Sequence, residues 1–158
     1  MTREMAILLA EAIETARELT EPAMRKALTR LDPVMQQICS YHLGWSDITG
    51  APASGSTGKA LRPTVVLLSA RACDGEPGQA VPAAVAVELV HNFSLLHDDV
   101  MDGDEQRRHQ PTAWSAFGVP AAALAGDALL CLAVDVVLRA PDACATSVAA
   151  SVVGATAS

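Results

Sequence analysis

Aromatic side chains are scarce: two Trp, two Phe and one Tyr in 158 residues. A β-sandwich core draws on aromatic and β-branched residues, and strand-type alternation is not sustained anywhere in the chain. Basic residues are also in the minority, 11 Lys and Arg against 18 Asp and Glu, giving a net charge of -7 and a pI near 4.9. That balance excludes a general nucleic-acid binder. The four cysteines, Cys39, Cys73, Cys131 and Cys144, include no CxxC pair. They read as buried free thiols in a reducing, cytoplasmic compartment. No membrane span is expected, because the longest apolar stretch, 121–138, is interrupted by Asp127 and Asp135. A charge near a bilayer centre costs at least ~2.5 kcal/mol. The first residues, MTREMAILLAEAIETARE, carry acids and no small-residue cleavage site, so they do not read as a secretory leader.

Ala, Leu and Val dominate what is present. The chain is 51% hydrophobic and 18% charged, which excludes disorder and favours helices packed through small side chains. The fold class is therefore all-α. Ile7, Leu8, Ala12 and Leu19 are spaced as the apolar face of a first helix over 5–19. Glu21-Pro22 starts a second segment reaching Leu31, since Pro suits a first helical turn, and Asp32-Pro33 opens a third helix over 34–42. The stretch GWSDITGAPASGSTG, 44–58, reads as a flexible loop. Helical pattern resumes at Lys59 or Leu61 and runs to Cys73, with Pro63 tolerable only in the first turn. A turn over 74–78 precedes a long apolar helix over 81–101. A polar stretch over 102–112 follows, then helices over 120–138 and 143–157.

Chemistry concentrates in LLHDDVMDGDEQRRHQPT, residues 95–112. Asp98 and Asp102 project from one helix face about 6 Å apart, with Asp99 beside them. Carboxylates in that pattern suit Mg²⁺, which takes oxygen ligands and keeps waters or phosphates in its shell. A solvated acidic helix end is the plain alternative. Acids at a helix C-terminus are each unfavourable by roughly 0.3–1 kcal/mol, and a cation would relieve that cost. Arg107 and Arg108 follow closely, and guanidinium forks match phosphate oxygens. Upstream, Lys59 and Arg62 stand three apart at a helix start, where cations oppose the dipole and favour a bound anion. His91 lies two turns before Asp98 on the same face, within reach of a phosphate. His97 points about 100° away and reads as supporting or structural, and His109 as loop surface.

Four segments in order, GKALRP (58–63), ELVHNFSLLHDDVMD (88–102), RRHQPT (107–112) and FGVPAAALAGDALL (117–130), resemble the trans-isoprenyl diphosphate synthases, the polyprenyl synthetase family, and geranylgeranyl diphosphate synthases in particular. The resemblance implies an isoprenoid-synthase-type helical bundle around a deep cavity. It implies condensation of isopentenyl diphosphate with an allylic diphosphate, with Mg²⁺ as cofactor. By the same resemblance, Asp98, Asp99 and Asp102 form the metal-binding motif, Asp98 and Asp102 being the direct ligands. Arg107 contacts the allylic diphosphate, and Lys59, Arg62, His91 and Arg108 hold isopentenyl diphosphate. Phe93, about 7.5 Å along the helix from Asp98, resembles a chain-length stopper beside the small Ser94. The implied product is geranylgeranyl diphosphate (C20), with farnesyl diphosphate (C15) second; a plain core aromatic is the other reading of Phe93.

Two features depart from the family pattern. Family chains are typically twice this length and carry a second aspartate-rich motif, whereas Asp127, Asp135 and Asp142 stand singly here. Residues 1–158 therefore read as the N-terminal portion of one synthase domain, with the C-terminal half absent and activity of this chain alone doubtful. Alternatives are a non-catalytic interaction subunit of a full-length synthase and, less well matched, a class I terpene cyclase fragment. The family tendency and the apolar helices suggest a homodimer or a partner synthase subunit.

Overall fold

The computed structural model describes residues 3–53, 58, 60–108 and 110–140, with the side chain of Arg3 left undescribed. The helices are α1 (Arg3–Leu28), α2 (Pro33–His42), α3 (Leu61–Ala72), α4 (Val81–Asp102), α5 (Ala113–Phe117) and α6 (Val119–Leu138). A 3-10 turn, Pro77–Ala80, leads into α4. Between α4 and α5, β1 (Gln106–Arg107) and β2 (Gln110–Pro111) pair antiparallel, Gln106 opposite Pro111 and Arg107 opposite Gln110. The expected all-α class holds, and the helix expected over 143–157 lies outside the described residues.

Two compact units divide the chain: the first holds residues 3–25, 60–88 and 133–140 among those described, the second 26–53 with 58, and 89–132. In the first unit Ala16, Leu67 and Ala84 form a small buried core, with Val66, Ala80 and Val81 packed against it. A cleft of about 400 Å³ lies in the same unit, lined by Leu8, Ala12, Thr64, Leu67, Leu68 and Arg71 among others. Buried residues of the second unit include Ile38, Cys39, Leu89, Leu96, Ala122, Ala125 and Leu129.

Three expectations about these elements are corrected. First, α1 runs through Pro22 without ending. Pro removes one backbone donor and is costly inside a helix, but the turns around it are held by other bonds. The Thr20 hydroxyl donates to the Ala16 carbonyl at 2.6 Å, Arg25 bridges Glu21 across the proline at 2.8 Å, and Thr20, Met24, Ala27 and Leu28 are buried. Second, the buried stripe of α1 is Ala16, Thr20, Met24 and Ala27, whereas Ile7 and Leu8 are 51% and 59% exposed and Leu19 is exposed as well. Third, of the cysteines, Cys39 alone among those described is buried; Cys73 and Cys131 are exposed. Cys144 lies outside the described residues. Burial pushes the Cys39 thiol up to about 12, which leaves it protonated and inert.

Caps follow local chemistry. The Asp32 carboxylate accepts from Val34 N at 2.9 Å, and Pro33 occupies the first turn of α2 where no donor is needed. Residues 44–53 are not an open loop. Asp47 accepts from Thr49 N, the Thr49 hydroxyl and Ala51 N, Ser46 bridges Pro52, and Leu43, Trp45 and Ser46 are buried. An aspartate that satisfies three donors converts a Gly- and Pro-rich composition into a defined turn. By length and composition alone, residues Pro77–Asp102 and α6 are each long and apolar enough to cross a membrane. Ala122, Ala125 and Leu129 on α6 are fully buried, as on a core helix.

Candidate active site

Helix α4 presents the acidic face. Its buried stripe reads Val85, Leu89, Asn92, Leu96 and Asp99, a 4-3-4-3 spacing that keeps one side of a helix inward. Two of the five positions are polar, and both lie in the last three turns. Gly103, at φ +71, ends the helix, and Asp104 N returns to the Asp99 carbonyl at 3.0 Å. That six-residue closure with a left-handed glycine is the usual Schellman stop. It places Asp98, Asp99 and Asp102 on the final turns with the hairpin close behind.

The three aspartates have different surroundings. Asp98 and Asp102 are exposed. Asp99 is 1% exposed, and its carboxylate accepts a forked pair of bonds from Arg107, Nε at 2.8 Å and Nη2 at 2.5 Å. Hydrogen bonds donated to Asp99, followed by the nearby charges of Asp99, Asp104 and Asp98, hold the Arg107 guanidinium above its ordinary value. Asp99 and Arg107, assigned by resemblance to the metal and to the allylic diphosphate, are thus bound to each other here. Among the described residues no group of three or more His, Cys, Asp or Glu side chains converges on one point as a metal cage. The donor set that faces solvent is the Asp98–Asp102 pair, two oxygen ligands one turn apart. It fits a hard cation that completes its shell with water or phosphate.

Arg108 stands at φ +52, a left-handed position at the turn between β1 and β2. Its guanidinium approaches Gly58 so closely that a Cβ there would lie 3.2 Å from Nη2. The first residue of GKALRP is thereby set against the second arginine. Lys59 and His109 lie outside the described residues. Arg62 is exposed on the first turn of α3, in the first unit. His91 is half-buried on α4 and accepts at its carbonyl from the Ser94 hydroxyl at 2.8 Å. Phe93 packs edge-on against His97, ring centroids 4.7 Å apart. His97 Nε2 lies 3.1 Å from the Ala123 carbonyl and 3.6 Å from Asp127. A Cβ on Gly126 would sit 2.6 Å from that nitrogen, so only glycine admits the ring.

His42, the last residue of α2, escaped the sequence reading. It is 8% exposed and hydrogen-bonded to the Asn92 side chain. A helix C-terminus would favour the imidazolium, yet burial, then the charges of Arg107 and Arg108, push His42 down to about 3. The ring is neutral at pH 7. Nothing in the local pattern distinguishes this histidine from a helix-end cap; its partners come from 50 and more residues away.

Mostly helical, with one hairpin of two-residue strands among the described residues, the chain has the isoprenoid-synthase type of helical fold. It belongs to the polyprenyl synthetase family, whose sequence model matches residues 51–158. It is 54% identical over 123 residues to the (2E,6E)-farnesyl diphosphate synthase of Mycobacterium tuberculosis, a match covering 78% of this chain and 34% of the relative. Identity to the geranylgeranyl diphosphate synthase of the same organism is 46% over 132 residues, 84% of this chain and 38% of the relative. The crystal structure of a polyprenyl synthetase from Streptomyces coelicolor A3(2) superposes with a TM-score of 0.83 at 50% identity, covering 87% of this chain and 40% of that one. The chain therefore spans between a third and two-fifths of the length of these relatives.

Proposed function

We propose that this chain supplies the first aspartate wall and the arginine hairpin of a prenyltransferase that joins isopentenyl diphosphate to an allylic diphosphate. The observation that carries this reading is the split among the aspartates. Asp98 and Asp102 offer exposed carboxylates, while Asp99 fixes the Arg107 fork beside them. Asp98 and Asp102 would hold Mg²⁺, which supplies charge neutralisation to the diphosphate leaving group when bound. Arg107 spends Nε and Nη2 on Asp99, so its contact with the allylic diphosphate falls to Nη1. A metal role for Asp99 requires that pair to open. Arg108, with Lys59 and His91, receives the second diphosphate, the ligand that the family resemblance also gives to Arg62. Preorganised cations of this kind stabilise the negative charge that develops as diphosphate departs. Phe93, braced by His97, closes the apolar end and limits the product to C20, with C15 second. The free thiols fit a reducing, cytoplasmic setting.

Calorimetric titration tests the reading on the chain itself. Mg²⁺ with a nonhydrolysable prenyl diphosphate analogue should bind the native chain, and Asp98→Asn with Asp102→Asn should abolish the Mg²⁺ dependence. Metal-independent binding, or no loss in the double variant, would overturn the metal assignment. A second reading, an interaction subunit, draws on the exposed Met5, Ile7, Leu8 and Leu9 along α1. Co-purification with a full-length synthase and a changed product length would favour it.

A further inference from the structure

The end of α2 touches both parts of the candidate site. On one side His42 is hydrogen-bonded to Asn92, itself 3% exposed and seven residues before Asp99. Two helical turns separate Asn92 from Asp99 on the same face, about 10.5 Å along the axis. On the other side the Tyr41 hydroxyl donates to the Pro111 carbonyl at 2.7 Å, and Gln110 Nε2 donates to the Tyr41 carbonyl at 3.5 Å. Gln110 and Pro111 are β2, the strand paired with the β1 residues Gln106 and Arg107. Tyr41 is itself anchored edge-on by Phe117, centroids 5.2 Å apart.

We propose that Tyr41 and His42 form a bracket that positions the Arg107–Arg108 hairpin against the aspartate face of α4 for diphosphate binding. The inference rests on the reading of Arg107 and Arg108 as diphosphate ligands and adds positioning residues to it. Buried polar groups are retained at a cost unless each finds a partner. Here the Tyr41 hydroxyl bonds to the strand opposite Arg107 and the His42 ring to the stripe that ends in Asp99. Both guanidinium groups bear electrostatically on the His42 ring, as does His91, which places the ring on the arginine side of α4. A neutral imidazole is suited to that place, since a third cation would push the forks apart.

Tyr41→Phe is the decisive variant: it deletes the bond to Pro111 and keeps the ring against Phe117. It should weaken Mg²⁺–pyrophosphate binding about tenfold, the size of one lost hydrogen bond, and shift the Arg107 and Arg108 Nε–Hε resonances at an unchanged helical circular dichroism spectrum. His42→Ala should do the same, with affinity and resonances partly restored in His42→Gln. Wild-type affinity with unmoved arginine resonances in Tyr41→Phe would overturn the bracket. Should the native chain itself take up no pyrophosphate, the diphosphate reading fails separately. The arginine resonances then decide the bracket alone: a shift in Tyr41→Phe sustains it and no shift refutes it. If His42→Ala does not fold, Tyr41→Phe carries the test.

Discussion

The two halves of α4 hold their places by different physics. The first half buries Ala84, Val85 and Ala86, side chains with no polar atom to satisfy. The second half buries Asn92 and Asp99, each tied to a partner brought from α2 or from the hairpin. One half is stabilised by close contact, which salt and pH leave alone. The other adds to the buried Leu96 a forked ion pair and a neutral imidazole, which respond to both. A helix that changes its mode of attachment midway can carry a charged site at one end without charging its core.

Acid should separate the halves most widely. The unfolded chain protonates His42 near its ordinary 6.5, whereas the folded chain does so only near about 3. Between those values the unfolded state binds the extra proton, so stability present above pH 6.5 is lost as pH falls. The loss reaches roughly 5 kcal/mol over the whole window, of which roughly 3 kcal/mol falls above pH 4.5; urea melts stepped from pH 7 to pH 3.5 should trace it, with a flatter slope in His42→Gln. Next in size, Arg107→Ala strands the buried Asp99 carboxylate and should cost about 3 kcal/mol in the same assay. Asp99→Asn should cost less. In the first half, Val85→Ala should cost about 2 kcal/mol, unchanged between low and high salt. A salt-dependent Val85→Ala would erase the contrast between the halves. Smallest, and opposite in sign, Asp98→Asn with Asp102→Asn should raise thermal stability by about a few tenths of a kcal/mol per residue, by relieving the helix dipole.

Part of this architecture is legible in the sequence. The opening of α2 at Asp32-Pro33 and the extent of α4 follow from residues within a turn of one another, where composition decides. Pro22 was misread because its penalty is local while its compensation, burial of Met24, Ala27 and Leu28, is tertiary. Ile7 and Leu8 misled for the complementary reason: helical spacing shows that a face exists, and burial depends on what meets it. Asp99 and Arg107 were both picked out as site residues, but their pairing needs the hairpin to fold back. His42 was invisible for the same cause, since a histidine becomes a bracket only through Asn92.

Gly126 carries a mechanical consequence. The imidazole of His97 occupies a notch that exists at that single position of α6, with Ala122 one turn earlier and Leu129 and Leu130 one turn later. Sliding α6 by a turn along α4 in either direction would drive a methyl or an isobutyl group into the ring. The two helices are therefore keyed like a tumbler in a lock: a missing side chain, rather than an added attraction, sets their register one residue from Asp98.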